Sequence, residues 1–265
     1  MKKILVLAFV AFLAACAPAE EAPLRVGMDL NYPPFETIDG DNPEGISVDV
    51  AKAFGEFLGR EVEIVDTGFG ALIASLNSGD IDIIIASMSI RADRAVSVDF
   101  SNPYFYFKTI TLANKDFADA NGLTEDSTTE ELFAIAEGRW AGILTQISER
   151  IPEERGLTVN AFSNQDLAVA SVVQGTSDLY LMSAFPVVNA NKANPDTTIV
   201  IWDSLETLQI AMAVRKGDTE LLAKANEFIA QMSDPGSTYD FLSAKYEVEV
   251  KSRLGRYGLE FFINE

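Results

Sequence analysis

The chain has 265 residues, 48% of them hydrophobic, and a formal net charge of −20 from 40 acidic and 20 basic side chains. That length and apolar content suit one large or two modest globular domains, while the negative charge disfavours nucleic acid and anionic lipid surfaces as partners. Histidine is absent and cysteine occurs once, which removes His-dependent triads and ordinary zinc sites and leaves carboxylate, lysine or tyrosine chemistry for any enzyme.

The chain opens with Lys2 and Lys3 followed by an apolar stretch over residues 4–15, too short for a permanent membrane span and of the length of a signal-peptide core. Residues 1–15 therefore read as a secretion signal. Leu13-Ala14-Ala15-Cys16 resembles the lipobox of bacterial lipoproteins, whose cysteine is lipidated and becomes the new amino terminus; the alternative is an ordinary cleaved signal with an incidental cysteine. Either way the mature chain has no disulfide. Residues 16–23, rich in Ala, Glu and Pro, have the composition of a solvated tether.

Residues 24–30 read as a first strand, and Asn31-Tyr32-Pro33-Pro34-Phe35 as a rigid turn presenting two aromatics, since consecutive prolines exclude helix and central strand alike. Residues 45–58 carry apolar side chains at helical spacing, with Ser47 as a candidate N-cap. A strand over 61–66, a helix over 69–76 and a strand over 82–86 follow. Ile81, Ile83, Ile84 and Ile85 have no polar alternation, the mark of a strand covered on both faces in a parallel sheet.

Residues 74–87 (ASLNSGDIDIIIAS) are echoed ninety-six positions later by residues 170–183 (ASVVQGTSDLYLMS). Each copy ends a helix, passes a glycine suited to a left-handed cap (Gly79, Gly175) and enters an apolar strand near Asp82 or Asp178. The strands end at Ser87 and Ser183, and ligands of open α/β sheets sit beyond the carboxyl ends of strands. Two similar lobes facing one another would place both serines at a shared cleft; the alternative is two unrelated helix-strand units of one fold.

Tyr-Pro-Pro-Phe-Glu from Tyr32, Gly-Asp-Ile-Asp from Gly79, Ser87-Met88-Ser89-Ile90 followed by Arg94, and Asp-Phe-Ser-Asn-Pro-Tyr from Asp99 occur in that order. Together they resemble the bacterial extracellular solute-binding proteins of family 3, which deliver polar amino acids to ATP-driven importers. The resemblance implies a type II periplasmic-binding-protein fold, α/β, with each of two lobes a mostly parallel sheet flanked by helices and the chain crossing between lobes twice. The crossings would fall near residues 108–113 and 205–211, giving a discontinuous first lobe of 24–110 and 207–265 and a second lobe of 111–206. An amphipathic helix over 218–232, with Leu221, Leu222, Ala225, Phe228, Ile229 and Met232 on one face, belongs to the returning segment.

The resemblance gives Arg94 the role of gripping a ligand carboxylate, which suits a planar guanidinium that stays charged when water is excluded. Ser87, Met88 and Ser89 would add hydrogen bonds, Tyr32, Phe35 and Phe69 flat walls for the ligand side chain, and Asp29 a contact at its far end. The alternatives are a surface cation for Arg94, plain caps for the serines, core packing for the aromatics and a structural carboxylate for Asp29. Two departures from the family pattern stand out. The second-lobe loop reads Leu144-Thr145-Gln146-Ile147-Ser148 without its usual glycine, leaving Thr145 or Ser148 to substitute. The acid that neutralises a ligand's α-ammonium in amino-acid-binding members aligns with Ser183. A buried ammonium without a charge partner costs several kcal/mol, so the ligand is expected to differ from a standard α-amino acid.

The resemblance thus implies a lipid-anchored, extracytoplasmic monomer without cofactor or metal, whose partners are a carboxylate-bearing solute and a membrane permease. It is expected to be no enzyme. Two competing readings use the same scaffold: a dehydratase of cyclohexadienyl acids, for which Asp29 or Glu149 would have to act as general acid, and a sensory ligand-binding module.

Overall fold

The computed structural model describes residues 22–135, 137–144 and 146–264; the expected signal peptide, Cys16 and most of the expected tether lie outside them. The chain first lays down β1 (Leu24–Met28), a small hairpin of β2 (Thr37–Asp39) and β3 (Asn42–Glu44), then β4 (Val62–Asp66) and β5 (Ile83–Ile84). β1 pairs in parallel with β4 on one side and β5 on the other. Leu24, Val26, Ile83 and Ile84 are fully buried, as expected of strands covered on both faces.

Next comes the 17-residue β6 (Val98–Asn114), followed by β7 (Trp140–Ile143), β8 (Val159–Phe162), β9 (Leu179–Ser183) and β10 (Thr198–Ile201); β11 (Thr207–Arg215) then returns to the first sheet. β11 runs antiparallel to β5 and to β6 over residues 98–108, completing the order β4-β1-β5-β11-β6. From Thr109 to Ala113, β6 pairs instead with β9, which leads in parallel to β7 and on to β8. β6 therefore changes partners between Lys108 and Thr109. There the second crossing runs alongside it, with the Thr109 N–H donating to the Glu206 carbonyl at 3.0 Å. The architecture is α/β, with a mostly parallel set of strands on either side of this junction.

The two echoed segments carry the same device. Asp82 Oδ2 accepts the backbone N–H of Arg25 at 3.0 Å and its Nε at 3.3 Å, while Oδ1 accepts Nη2 at 2.8 Å. Asp178 Oδ2 likewise accepts the Arg139 backbone N–H at 2.8 Å and Nε at 2.9 Å, and Oδ1 accepts Nη2 at 2.6 Å. Each aspartate thus clasps an arginine at the start of the neighbouring parallel strand. The preceding glycines both have positive φ, 87° at Gly79 and 69° at Gly175, as left-handed caps require.

Several elements differ in extent from expectation. β1 stops at Met28, and the helix expected over 69–76 is a 3₁₀ turn, Phe69–Ala71, running into an α-helix, Leu72–Ser78. The helix Ile46–Leu58 is not capped by Ser47: its N-cap is Gly45, and no side chain caps it. Its first N–H groups are used by the turn before it: Ile46 donates to the Pro34 carbonyl at 3.0 Å and Ser47 to that of Phe35 at 2.9 Å. The chain turns there at Gly45, φ 120°, where any Cβ would collide with the Phe35 carbonyl. The helix Thr219–Gln231 matches the amphipathic expectation, with Ala225, Phe228 and Met232 buried and the Asp218 side chain accepting from the Leu221 N–H at 3.1 Å.

The C-terminal helices Thr238–Leu254 and Glu260–Ile263 also reach across the junction. Arg256 pairs with Asp126 at 3.0 Å, and Trp202 packs edge-on against Tyr257 at 5.3 Å between ring centroids.

Candidate functional site

A cavity of about 330 Å³ opens at the carboxyl ends of β1, β5 and β9, beside the junction. Asp29, Asn31, Tyr32, Glu36, Phe69, Ser87 and Ser89 line it from one side, Met182 and Ser183 from the other, and Phe107, Leu208 and Ile210 between them. The position is the one that open α/β sheets reserve for ligands.

The turn after β1 builds one wall. Tyr32 and Glu36 exchange backbone hydrogen bonds of 2.8 and 3.0 Å, so the two prolines are held in a closed loop. Tyr32 stands at the cavity with its hydroxyl 3.4 Å from Ser183 Oγ, joining the two sides. Burial pushes its phenol up to about 12, with the Ser183 hydrogen bond opposing and the Glu36 charge adding to the rise. Phe35 points the other way. It is fully buried among Phe107, Phe185 and Phe262, with ring centroids 4.6, 5.8 and 5.2 Å away, and forms core rather than a ligand wall.

Asp29 organises the neighbouring wall. Its Oδ1 accepts from Asn31 Nδ2 at 2.7 Å, and its Oδ2 from the Phe69 N–H at 2.9 Å. Phe69 begins the short 3₁₀ turn and remains 37% exposed, so its ring faces the cavity. The Arg94 guanidinium lies over that ring, with Cζ 5.2 Å from the centroid.

Arg94 does not itself line the cavity but is held beside it by Ser89, which does, and whose carbonyl and Oγ each accept from Nη1 at 3.0 Å. Among the described residues its Nε and Nη2 have no acceptor and it forms no ion pair. Burial, with the like charge of Arg91 next, lowers its pKa, and Asp93 opposes. A half-buried guanidinium with unspent donors beside an open cavity can take up a carboxylate.

Of the other expected residues, Ser87 lines the cavity with φ 51°, an uncommon conformation outside glycine, and its hydroxyl donates to Glu36 Oε1 at 2.7 Å. Met88 is a correction: its side chain is buried in the core and its carbonyl accepts from the Ala211 N–H, so it does not line the cavity. Ser148 is another, fully buried and accepting the Ile143 N–H at 2.9 Å, away from the cavity. Thr145 lies outside the described residues. Ser183 is at the cavity, as the repeat suggested.

Glu36 is the residue that sequence reasoning missed. It is 1% exposed, lines the cavity, and among the described residues forms no ion pair. Burial raises its carboxyl to about 8; the Ser47 and Ser87 hydroxyls oppose this, and the Asp29 charge adds to it. At neutral pH it is therefore mostly protonated. The signal is present in Tyr-Pro-Pro-Phe-Glu, where an acid follows directly on an apolar turn. Asn31, Phe107, Met182, Leu208 and Ile210 carried no such signal, because their place is set by chain crossing alone.

Residues 24–249 match the sequence pattern of the bacterial extracellular solute-binding proteins, family 3. The chain belongs to that family. It is 30% identical over 217 residues to the arginine-binding extracellular protein ArtP of Bacillus subtilis, covering 80% of this chain and 82% of that one. It is 26% identical over 230 residues to the L-cystine-binding protein TcyJ of Escherichia coli, covering 86% and 83%. Among solved structures, an ancestral amino acid-binding protein, a precursor of cyclohexadienyl dehydratase, superposes with a TM-score of 0.65 at 32% identity, covering 84% of this chain and 94% of the other. The fold is that of the type II periplasmic binding proteins. No helix among the described residues is long and apolar enough to cross a membrane.

Proposed function

We propose that this chain is the extracytoplasmic solute-binding component of an ATP-driven importer, a monomer anchored through lipidated Cys16, and that it captures a small amino acid by closing two lobes upon it. The observation that carries the reading is Arg94, half-buried over Phe69 beside the cavity with donors unspent. The ligand α-carboxylate takes those donors. The hinge lies where β6 and the segment before β11 run side by side, at Lys108–Thr109 and Glu206–Thr207. Asp29, partly exposed at the cavity, brings to it the acidity that Ser183 lacks, so the departure at Ser183 is compatible with an amino acid. ArtP and TcyJ, whose names specify arginine and cystine, support the ligand class.

Calorimetric titration with the common amino acids and cystine is expected to give at least one ligand of micromolar affinity or better, with a fall in the radius of gyration on saturation. Arg94→Ala should weaken that ligand by a hundredfold or more, about 3 kcal/mol, because a desolvated carboxylate loses its charged partner. Unchanged affinity in the variant sinks the reading. The dehydratase alternative draws on one observation, that Glu36 is a buried, protonated carboxyl able to act as general acid. No turnover of prephenate or arogenate is expected, and measurable turnover would replace binding by catalysis.

A further inference from the structure

Resting on the reading of Arg94 as the carboxylate site, we propose that Glu36 selects a cationic side chain on the ligand, a guanidinium or primary ammonium, and gives up a proton to solvent as that group binds.

The geometry supplies each part. Glu36 lines the cavity on the same turn as Tyr32, while Arg94 stands beside it behind Phe69 and Ser89. A ligand carboxylate on Arg94 therefore leaves the rest of the ligand to pass Phe69 and Ser89 into a cavity whose more buried acid is Glu36. The groups facing Glu36 come from every surrounding element: Asp29 after β1, Tyr32 on its own turn, Ser47 on the helix Ile46–Leu58, Ser87 after β5, and Tyr104 on β6. None is a cation. Ser87 Oγ donates to Oε1 at 2.7 Å and the Ser47 hydroxyl also favours the carboxylate, but neither carries a charge, and a carboxylate offers more acceptor positions than two hydroxyls use, so it retains capacity for an incoming cationic donor.

Physical chemistry then dictates the proton. A buried carboxylate with no basic partner is unfavourable, so in the unliganded protein the acid is held neutral, consistent with its rise to about 8. A ligand cation at hydrogen-bond distance supplies the missing countercharge and stabilises the ionised form. The balance is Glu36–COOH plus cationic ligand giving the Glu36 carboxylate–cation pair plus one proton released to buffer; no bond other than O–H breaks. A neutral side chain of the same shape cannot drive that ionisation and leaves the acid protonated.

Asp29 has a different position. Its two oxygens are already engaged by Asn31 and the Phe69 N–H, and it is partly exposed, so it has less acceptor capacity than Glu36 to offer a buried cation.

The test is titration of the full mature chain at pH 7 with arginine and lysine, and with citrulline and norleucine as their neutral counterparts, each in two buffers of different ionisation enthalpy. At least one of arginine and lysine is expected to bind ten-fold or more tighter than its neutral counterpart and to release between half a proton and one proton. Its affinity should rise with pH, by up to tenfold per unit, and level off above about 8. Glu36→Gln should abolish the release and bring the charged and neutral ligands within threefold of each other. Arginine against lysine separates guanidinium from ammonium. Binding of charged and neutral ligands with equal affinity, or of the charged ones without proton release, overturns the assignment of Glu36 while leaving the Arg94 reading intact. Failure of all four to bind, with another amino acid bound through Arg94, also overturns it. The wild-type proton count decides the matter even where Glu36→Gln does not fold.

Discussion

Glu36 illustrates how one side chain ties fold stability to the site. Its carboxyl titrates near 4.5 when solvated and near 8 in the folded protein, so between those values the folded state holds a proton that the unfolded state has lost. Unfolding then releases a proton, and stability falls as pH rises from about 4.5 toward about 8. The loss across the window is on the order of 4 kcal/mol at most, before the protein relaxes around the charge. Denaturant melts of the unliganded protein at pH 5 and pH 8 should reveal this loss, and Glu36→Gln should flatten the difference. A wild-type stability that rises over the same window, with the variant tracking it, would show that Glu36 is not held neutral.

At the scale of elements, the Arg25–Asp82 and Arg139–Asp178 clasps bind the two strands of each parallel pair at their amino ends. Their settings differ. The Asp178 side chain is 6% exposed and that of Asp82 17%, with the arginine heads partly in solvent in both. Replacing a buried acceptor that serves both a backbone N–H and a guanidinium leaves those donors poorly paired. Asp178→Asn is therefore expected to cost about 2 kcal/mol in a denaturant melt, and Asp82→Asn less, since water reaches it more readily. Equal and negligible losses in both would mean that the clasps are incidental to stability. The turn at residues 31–35 shows the opposite lesson: two aromatics three residues apart look equivalent in sequence, yet only Tyr32 faces the cavity. Phe35 is taken by the ring cluster of Phe107, Phe185 and Phe262.

For the whole molecule, the two-lobed plan makes the ligand part of the structure, because closure gains contacts only when the cavity between the lobes is filled. The Tyr32–Ser183 approach already spans that gap. The proposed attachment to the membrane is a separate matter and rests on the first sixteen residues alone. Cys16→Ser is expected to appear in the soluble fraction or to remain unprocessed when the full chain is expressed in a bacterium; a membrane-bound variant with a normally processed amino terminus would refute lipidation at Cys16.

The family and fold were legible in sequence because they rest on local chemistry. Unbroken isoleucines demand a two-sided sheet, prolines fix a turn, positive-φ glycines end helices, and the repeated glycine–aspartate spacing marks equivalent strands. The placing of Tyr32, Phe69, Ser87 and Ser183 at the cavity shares that legibility, since each follows a strand end or begins a turn, and Arg94 lies close by on the short helix Ala92–Ala95. Three-dimensional packing alone decided the rest. It turned Phe35 and Met88 inward, spent the Ser148 hydroxyl on the Ile143 N–H, gave the helix Ile46–Leu58 carbonyls in place of a serine cap, and enclosed Glu36 where no cation among the described residues pairs with it. Whether a side chain faces core or cavity, and whether an acid keeps its charge, depends on neighbours brought from distant parts of the chain, and those neighbours exist only once β6 and β11 have joined the two sheets.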